Sequence, residues 1–275
     1  MSIPESLLES ISFPGLLRTW RAEAGKKMGL GKALSQKQVA ERMKVSERWY
    51  RSLESGQAIS LSGPVLKRLA AVLALGPDDR ITLYAQAFNG TCASLLSVES
   101  RDMEARGGVA EMAKNPGPNP VYVVDKAWNV ISFNPKMSEW FPEMCQPSSN
   151  LLRWAFSEDG RSKLVEWHRN AEVYLGQLRF SLANHPESRE LHELLEYVLS
   201  VPEGLAIWKR NPRLVAYREG ECFRLRIPCV SPRDFSVVAR VLLPPYQPGI
   251  RYVTLIPHQE ELAPCDARHL AMNAV

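Results

Sequence analysis

Apolar residues recur at helical spacing through the first third of the chain and at strand spacing further on. Leu16, Leu17, Trp20 and Ala24 share one face of a helix that opens at Pro14 and closes at Gly25. Val39, Ala40 and Met43 form the stripe of a shorter helix. Ser35 is its N-cap and Gln38 the capping-box partner three residues on. Val45 is placed to pin a tight turn. Ser46 then caps a third helix, which runs through Tyr50 and Leu53 to a Gly56 C-cap. Leu61, Val65, Leu66, Leu69, Val72 and Leu73 predict a fourth helix, and Ile81, Leu83, Tyr84 and Phe88 a fifth after Pro77. Short helices in this density predict a compact all-α domain over residues 1–90.

The pattern then lapses. Residues 91–118 carry Gly107-Gly108 and the run Asn115 to Pro120, and they read as a linker with a short helix near Leu95 to Met103. Beyond Pro120 the period becomes that of strands. Residues 121–124 and 129–133 predict a hairpin. Helices follow over 135–141, from an Asn150 cap, from Gly160 through Leu182, over 191–199 and over 205–208. Strands return at 214–219, 222–227, 235–243 and 252–257, with Glu219-Gly220-Glu221 as a turn. Residues 119–260 thus predict an α+β domain, an antiparallel sheet with helices on one face, and residues 261–275 a frayed tail.

Charge separates the two parts. The chain has a net charge of +4, yet residues 1–90 hold 13 Lys/Arg against 8 Asp/Glu and the remainder 21 against 22. A basic first domain beside a near-neutral second one points to a polyanion met by the first alone. The five cysteines are scattered and include no C-x-x-C pair, so they read as reduced thiols in a cytoplasmic protein rather than a disulfide framework or zinc site. The chain shows no signal-peptide pattern and no apolar run of membrane-spanning length.

Leu34 to Gly56 is the stretch whose pattern names a chemistry. Two short helices with a small residue, Ala40, at their crossing can hold the second in the major groove of DNA. With Tyr50 and Leu53 turned to the core, Glu47, Arg48, Arg51 and Ser52 form the outward face, and Ser46 stands at its tip. An arginine fork matches guanine O6/N7, and a glutamate accepts from cytosine N4. The preceding GKKMGLGKA stretch fails as a phosphate loop, because Lys26 and Ala33 occupy positions where Gly and Ser/Thr are needed. Through Ser35-Gln36, Val39-Ala40, Val45-Ser46 and Leu53-Glu54-x-Gly56, residues 14–88 resemble the lambda-repressor/Cro-type helix-turn-helix family, the XRE family. The resemblance implies base contacts from Glu47, Arg48 and Ser52, while Gln36 at the start of the second helix fixes the backbone and braces the reading helix; Lys37 beside it is also expected to touch DNA. A single half-site domain binds weakly, so a palindromic double-stranded DNA operator bound by a homodimer is expected.

The segments VYVVDKAWNVISFNP, NLLRWAF, VEWHRNAEVYLGQLR and LAIWKRN are similar to the MmyB-like ligand-binding domain, of PAS-type fold, that follows such a module in bacterial regulators. IPCVSP at 227–232 departs from the His-Pro…Gly turn usual there. The resemblance implies a small, fatty-acid-like or amphipathic effector and no other cofactor. It carries ligand contacts onto Phe133, Asn134, Trp154, Trp167, Tyr174 and Trp208. Each aromatic could equally be core. Arg153 and Arg179 either anchor a carboxylate in that cavity or pin a helix terminus.

No catalytic or metal site is expected. The five histidines do not cluster, His192-Glu193 meets Glu196 where a second His is required, and no nucleophile elbow exists. The expectation is a ligand-responsive transcriptional regulator, not an enzyme and without membrane contact. The alternative is a DNA-binding adaptor whose second domain contacts proteins without a ligand.

Overall fold

The computed structural model describes residues 3–57, 61–87, 102–244 and 249–258. They fall into two compact units that do not follow chain order. Met1–Leu96 is joined by Leu175–Leu199 and Leu205–Ala216 in the first; Ser97–Tyr174, Ser200–Gly204 and Tyr217–Val275 make the second.

The first unit opens with α1 (Glu5–Glu9), α2 (Phe13–Lys27), α3 (Gln36–Met43), α4 (Glu47–Glu54), α5 (Gly63–Val72) and α6 (Pro77–Ala87). Ser12 caps α2, its hydroxyl accepting from the Gly15 amide at 3.2 Å. The capping box of α3 is complete: the Ser35 hydroxyl accepts from the Gln38 amide, and the Gln38 side chain accepts from the Ser35 amide. Between α3 and α4 the backbone turns through Lys44 at φ 57°, and the Val45 amide donates to the Ala40 carbonyl at 3.0 Å. Val45 itself is only half-buried. The core is Leu16, Leu17, Val39, Met43, Tyr50, Leu66, Leu69 and Leu83. Truncating one such leucine to alanine costs about 2–5 kcal/mol.

Gly25 does not end α2. The helix runs on to Lys27, and a Cβ on Gly25 would lie 2.0 Å from the Lys32 carbonyl oxygen. The glycine is there because the backbone of the following loop packs against it.

The chain continues with α7 (Asp102–Lys114), β1 (Val121–Val124), β2 (Val130–Phe133), α8 (Pro135–Trp140), α9 (Leu151–Ala155), α10 (Glu158–Lys163), α11 (Trp167–Asn184), α12 (Arg189–Ser200), α13 (Pro202–Arg210), β3 (Cys222–Leu225), β4 (Phe235–Leu242) and β5 (Arg251–Pro257). A 3-10 turn at Pro142–Cys145 follows α8. The sheet has the order β2-β1-β5-β4-β3 with every pair antiparallel. Tyr122 pairs with Val253, and Ala239 with Leu255. Strand alternation therefore puts Tyr122, Val253, Leu255 and Ala239 on one face. The helices that wall the cavity described below lie on that face.

Three stretches differ from their sequence pattern. Asp102–Lys114, within the expected linker, is helical despite Gly107-Gly108. It covers part of the other sheet face, burying Ala113 with Val121, Val123 and Ile250, and the Ser132 hydroxyl donates to the Ala110 carbonyl at 2.7 Å. Packing outweighs the cost of the glycines. The long helix expected from Gly160 breaks at Leu164, which bridges to Leu225, while the Val165 amide donates to the Arg224 carbonyl at 3.2 Å. Extended backbone here covers the free edge of β3. Residues 214–219 form no strand. Leu214, Val215 and Ala216 are buried, and the Val215 amide donates to Gly176 of α11 at 3.2 Å instead of to a neighbouring strand.

Cys145 and Cys229 are free thiols, whereas Cys222 is disulfide-bonded, against the expectation of reduced cysteines throughout. Phe88, the segment around Leu95, Cys92, Cys265, His269 and the expected tail lie outside the described residues. Among the described residues no helix is long and apolar enough to cross a membrane.

Gly25→Ala must push the Lys32 carbonyl away, at about 1–3 kcal/mol. A lower thermal midpoint is expected, and an unchanged one would rule out the close approach.

Candidate functional site

In the first unit α4 presents its outer face to solvent. The Ser46 hydroxyl caps the helix by accepting from the Trp49 amide at 3.1 Å. Arg48 and Arg51 are exposed, and Glu47 and Ser52 half-buried. Arg51 donates to Glu47 at 2.6 Å across one helical turn. At such exposure the pair adds little stability, and it leaves both groups available to another partner.

The inner face of α4 is held by charge. Glu54 is 4% exposed and accepts from Arg21 of α2 twice, from Nη2 at 2.8 Å and Nε at 3.0 Å. The same guanidinium donates to the Leu34 carbonyl at 2.5 Å, and Gln36 Nε2 reaches Glu54 at 3.3 Å. Three segments thus meet at one carboxylate: α2, the entry to α3, and α4. Hydrogen bonding to Glu54 raises the Arg21 pKa against the opposing effect of burial. Burial raises Tyr50, next to this pair, well above the usual tyrosine range.

In the second unit a small cavity of about 20 Å3 lies between the sheet and the helices. That is room for roughly one water molecule. Tyr122, Phe223, Leu225 and Leu255 form the sheet side. Met137, Leu151, Trp154, Leu164 and Tyr174 form the helix side, with Phe141 and Met144 at the 3-10 turn. At that turn Lys163 Nζ donates to Glu143 at 2.6 Å, and Trp154 Nε1 donates to the same oxygen at 3.0 Å. Burial pushes Glu143 up, but Lys163 and Trp154 outweigh it, so the carboxyl sits below the usual range.

Behind the opposite wall stands Arg218, 7% exposed. It donates to Glu221 at 2.7 Å and to Asn170 at 2.6 Å, and its guanidinium lies 4.7 Å from the Tyr174 ring and 4.3 Å from that of Phe223. Burial alone would lower its pKa; Glu221 and the two tyrosines outweigh that and raise it. Burial pushes Tyr122 and Tyr174 up, so both remain hydroxyl donors at neutral pH.

Comparison with known families matches residues 105–264 to the MmyB-like transcription regulator ligand binding domain. The chain belongs to that family. Residues 14–83 match a helix-turn-helix domain, which takes in α2 through the first part of α6. No curated protein matches the chain. The protein is a helix-turn-helix transcription regulator with a ligand-binding domain, and these are families of DNA-binding regulators rather than enzymes.

Within this regulator, the residues nominated for DNA contact fall on two successive helices. Ser46, Glu47, Arg48, Arg51 and Ser52 lie on or at the tip of α4; exposed Lys37 and half-buried Gln36 open α3. The residues nominated for ligand contact scatter. Trp154 and Tyr174 line the cavity. Half-buried Phe133 does not, and Asn134 is spent locally, accepting from the Val121 and Met137 amides and donating to the Asn119 carbonyl. Trp167 donates to the Ala155 carbonyl and packs on Phe156. Arg153 is exposed. Arg179 and Trp208 belong to the first unit. There Arg179 donates to the Trp208 carbonyl at 2.8 Å near the end of α13 and stacks 3.9 Å above the Trp208 ring. Of the two roles left open for it, this geometry is the helix pin. Burial lowers its pKa to about 10.

Arg21 and Arg218 were not singled out from the pattern, and Glu54 entered only through the Leu53-Glu54-x-Gly56 motif, with no partner assigned to it. Arg21 borders the apolar stripe of α2, one position beyond Trp20, which is a usable signal. Arg218 carries none, because its segment reads as a strand.

Two outcomes follow from the ion pairs. Arg21→Met leaves Glu54 buried without its cation and should cost about 3–5 kcal/mol in urea unfolding, much of it restored by Arg21→Met/Glu54→Leu. A full loss retained in the double variant would show that the pair is not the cause. The lowered Glu143 carboxyl lends stability that is complete above the ordinary glutamate pKa and lost as pH falls through its own lower value. Glu143→Gln should therefore flatten the acid limb of the stability–pH curve.

Proposed function

We propose that this regulator binds a palindromic operator as a homodimer, with α4 in the major groove and Glu47, Arg48 and Ser52 reading bases. Gln36 and Lys37 fix the phosphate backbone. The first domain is of the XRE type, and the second, PAS-like, senses a small amphipathic ligand such as a fatty acid in the cytoplasm. The observation that carries the DNA reading is Arg48: it is exposed at the start of a capped helix whose opposite face is locked by the Arg21–Glu54 pair. A guanidinium so presented can take guanine bidentately. Two half-sites then supply the affinity that one short helix lacks.

The ligand reading is supported by a cavity with almost wholly aromatic and aliphatic walls. In the form described it is nearly filled, so a ligand has to move side chains to enter. Met137 and Met144 are suited to that, being unbranched and readily repacked. Entry would stabilise an expanded arrangement, and regulation follows if the operator-bound dimer distinguishes the two arrangements. The same small volume favours the second reading, in which the domain is an adaptor that contacts proteins with no ligand.

An operator selected from random duplex DNA tests the first reading. Arg48→Ala should weaken binding by about 1–3 kcal/mol and relax the preference at one base pair. Lys37→Ala should weaken all sequences alike. An Arg48→Ala protein that holds the operator as tightly as the wild type would sink the assignment of α4.

A further inference from the structure

The loop that joins α2 to α3 carries a charge that the reading helix does not use. From Lys26 to Ala40 the chain holds four lysines and no Asp or Glu. Two of these ammonium groups are engaged: Lys26 donates to Glu23 at 2.8 Å, and Lys27 to the Ala74 carbonyl at 2.9 Å. Lys32 and Lys37 are exposed and meet no acceptor among the described residues.

The loop is pinned in place. The Leu30 amide donates to the Gly25 carbonyl at 3.0 Å and the Leu34 amide to that of Arg21 at 3.2 Å, while Arg42 of α3 donates to the Met28 sulfur at 2.8 Å. The Leu34 carbonyl accepts from the same guanidinium that holds Glu54, so the loop is referenced to α4. Between these pins Gly29 and Gly31 take φ of 71° and 63°, which glycine adopts without strain. A Cβ on either would meet nothing within 4 Å, so the backbone here is open to a partner. Gly31, Lys32 and Ala33 are exposed, and their amides donate to no group among the described residues.

Successive uncommitted N–H groups beside an ammonium, in a segment without a carboxylate, are complementary to phosphate. The nucleotide-loop pattern fails here because Ala33 lacks the hydroxyl that would hold a magnesium ion. A phosphate of a DNA backbone carries a single charge and needs no such ligand. Gln36 follows Lys32 by four residues, so at most about 14 Å of chain separates them.

We propose that the α2–α3 loop is a second DNA contact, in which the Lys32 ammonium and the amides of Gly31, Lys32 and Ala33 hold one backbone phosphate beside the bases read from α4. This rests on the DNA reading given above. The contact adds affinity without sequence preference, because phosphates carry no base information and each one neutralised releases counter-ions.

The test measures duplex affinity of the full-length protein over a series of salt concentrations. Lys32→Gln should weaken the selected operator and an unrelated duplex by the same factor, and lower the slope of log affinity against log salt by about 0.9 for each bound copy. Lys32→Arg should keep the wild-type slope. Lys26→Gln removes an equal charge, but one already held by Glu23, and should change the slope much less. Lys32 is exposed, so its variants should keep the wild-type thermal midpoint. A wild-type slope in Lys32→Gln, or an equal change in Lys26→Gln, overturns the loop contact while a weakened Arg48→Ala protein leaves the α4 reading standing. A wild-type protein that binds no duplex overturns both.

Discussion

A guanidinium taken out of water has to be answered by something, and the structure answers three of them in three ways. Arg21 meets the Glu54 carboxylate in a two-point fork. Arg179, 3% exposed, meets main-chain carbonyls near the end of α13 and the face of an indole. Arg218 meets one carboxylate, one amide oxygen and two aromatic rings. Each solution demands that several chain segments stand at fixed distances. The desolvation cost is several kcal/mol per ion, so a misplaced partner would be strongly destabilising. These charges define geometry more than they add stability.

What they define is where the functional surfaces lie. The Arg21–Glu54 fork, with Gln36 and the Leu34 carbonyl, sets the pitch of α4 against α2 and α3. The outer face of α4 can then carry exposed, weakly held side chains, because nothing on that face is needed to keep the helix in place. The short Glu47–Arg51 pair illustrates the division, being replaceable where the inner pair is not. In the ligand-binding domain Arg218 does the corresponding work from behind a wall, fixing the aromatic rings that face the cavity.

The cavity holds little more than a water's volume, and its walls include Met137 and Met144, unbranched and readily repacked. Its rim is tied by the Lys163–Glu143–Trp154 contacts at a 3-10 turn, which is a short and poorly bonded element. Enlarging a space of this kind costs energy, because packed side chains have to move.

The sequence by itself determined the elements whose causes are local. Caps such as Ser35 with Gln38, the 3.6-residue stripe of α3, the continuous apolar run of β1 and the alternating strand β5 are legible because neighbours in the chain produce them. The exposed face of α4 followed from the same periodicity. Tertiary structure alone decided the rest. Gly25 remains helical because a loop carbonyl abuts it, Gly107-Gly108 become helix under a sheet face, Leu164 leaves its helix to close a strand edge, and residues 214–216 give up a strand to pack beside Gly176. The same holds for the arginines. Nothing near Arg153, Arg179 or Arg218 in sequence says which is exposed, which pins a helix and which stands behind a cavity wall. Burial of a charge is set by partners far along the chain, and only the folded arrangement brings them within a hydrogen bond.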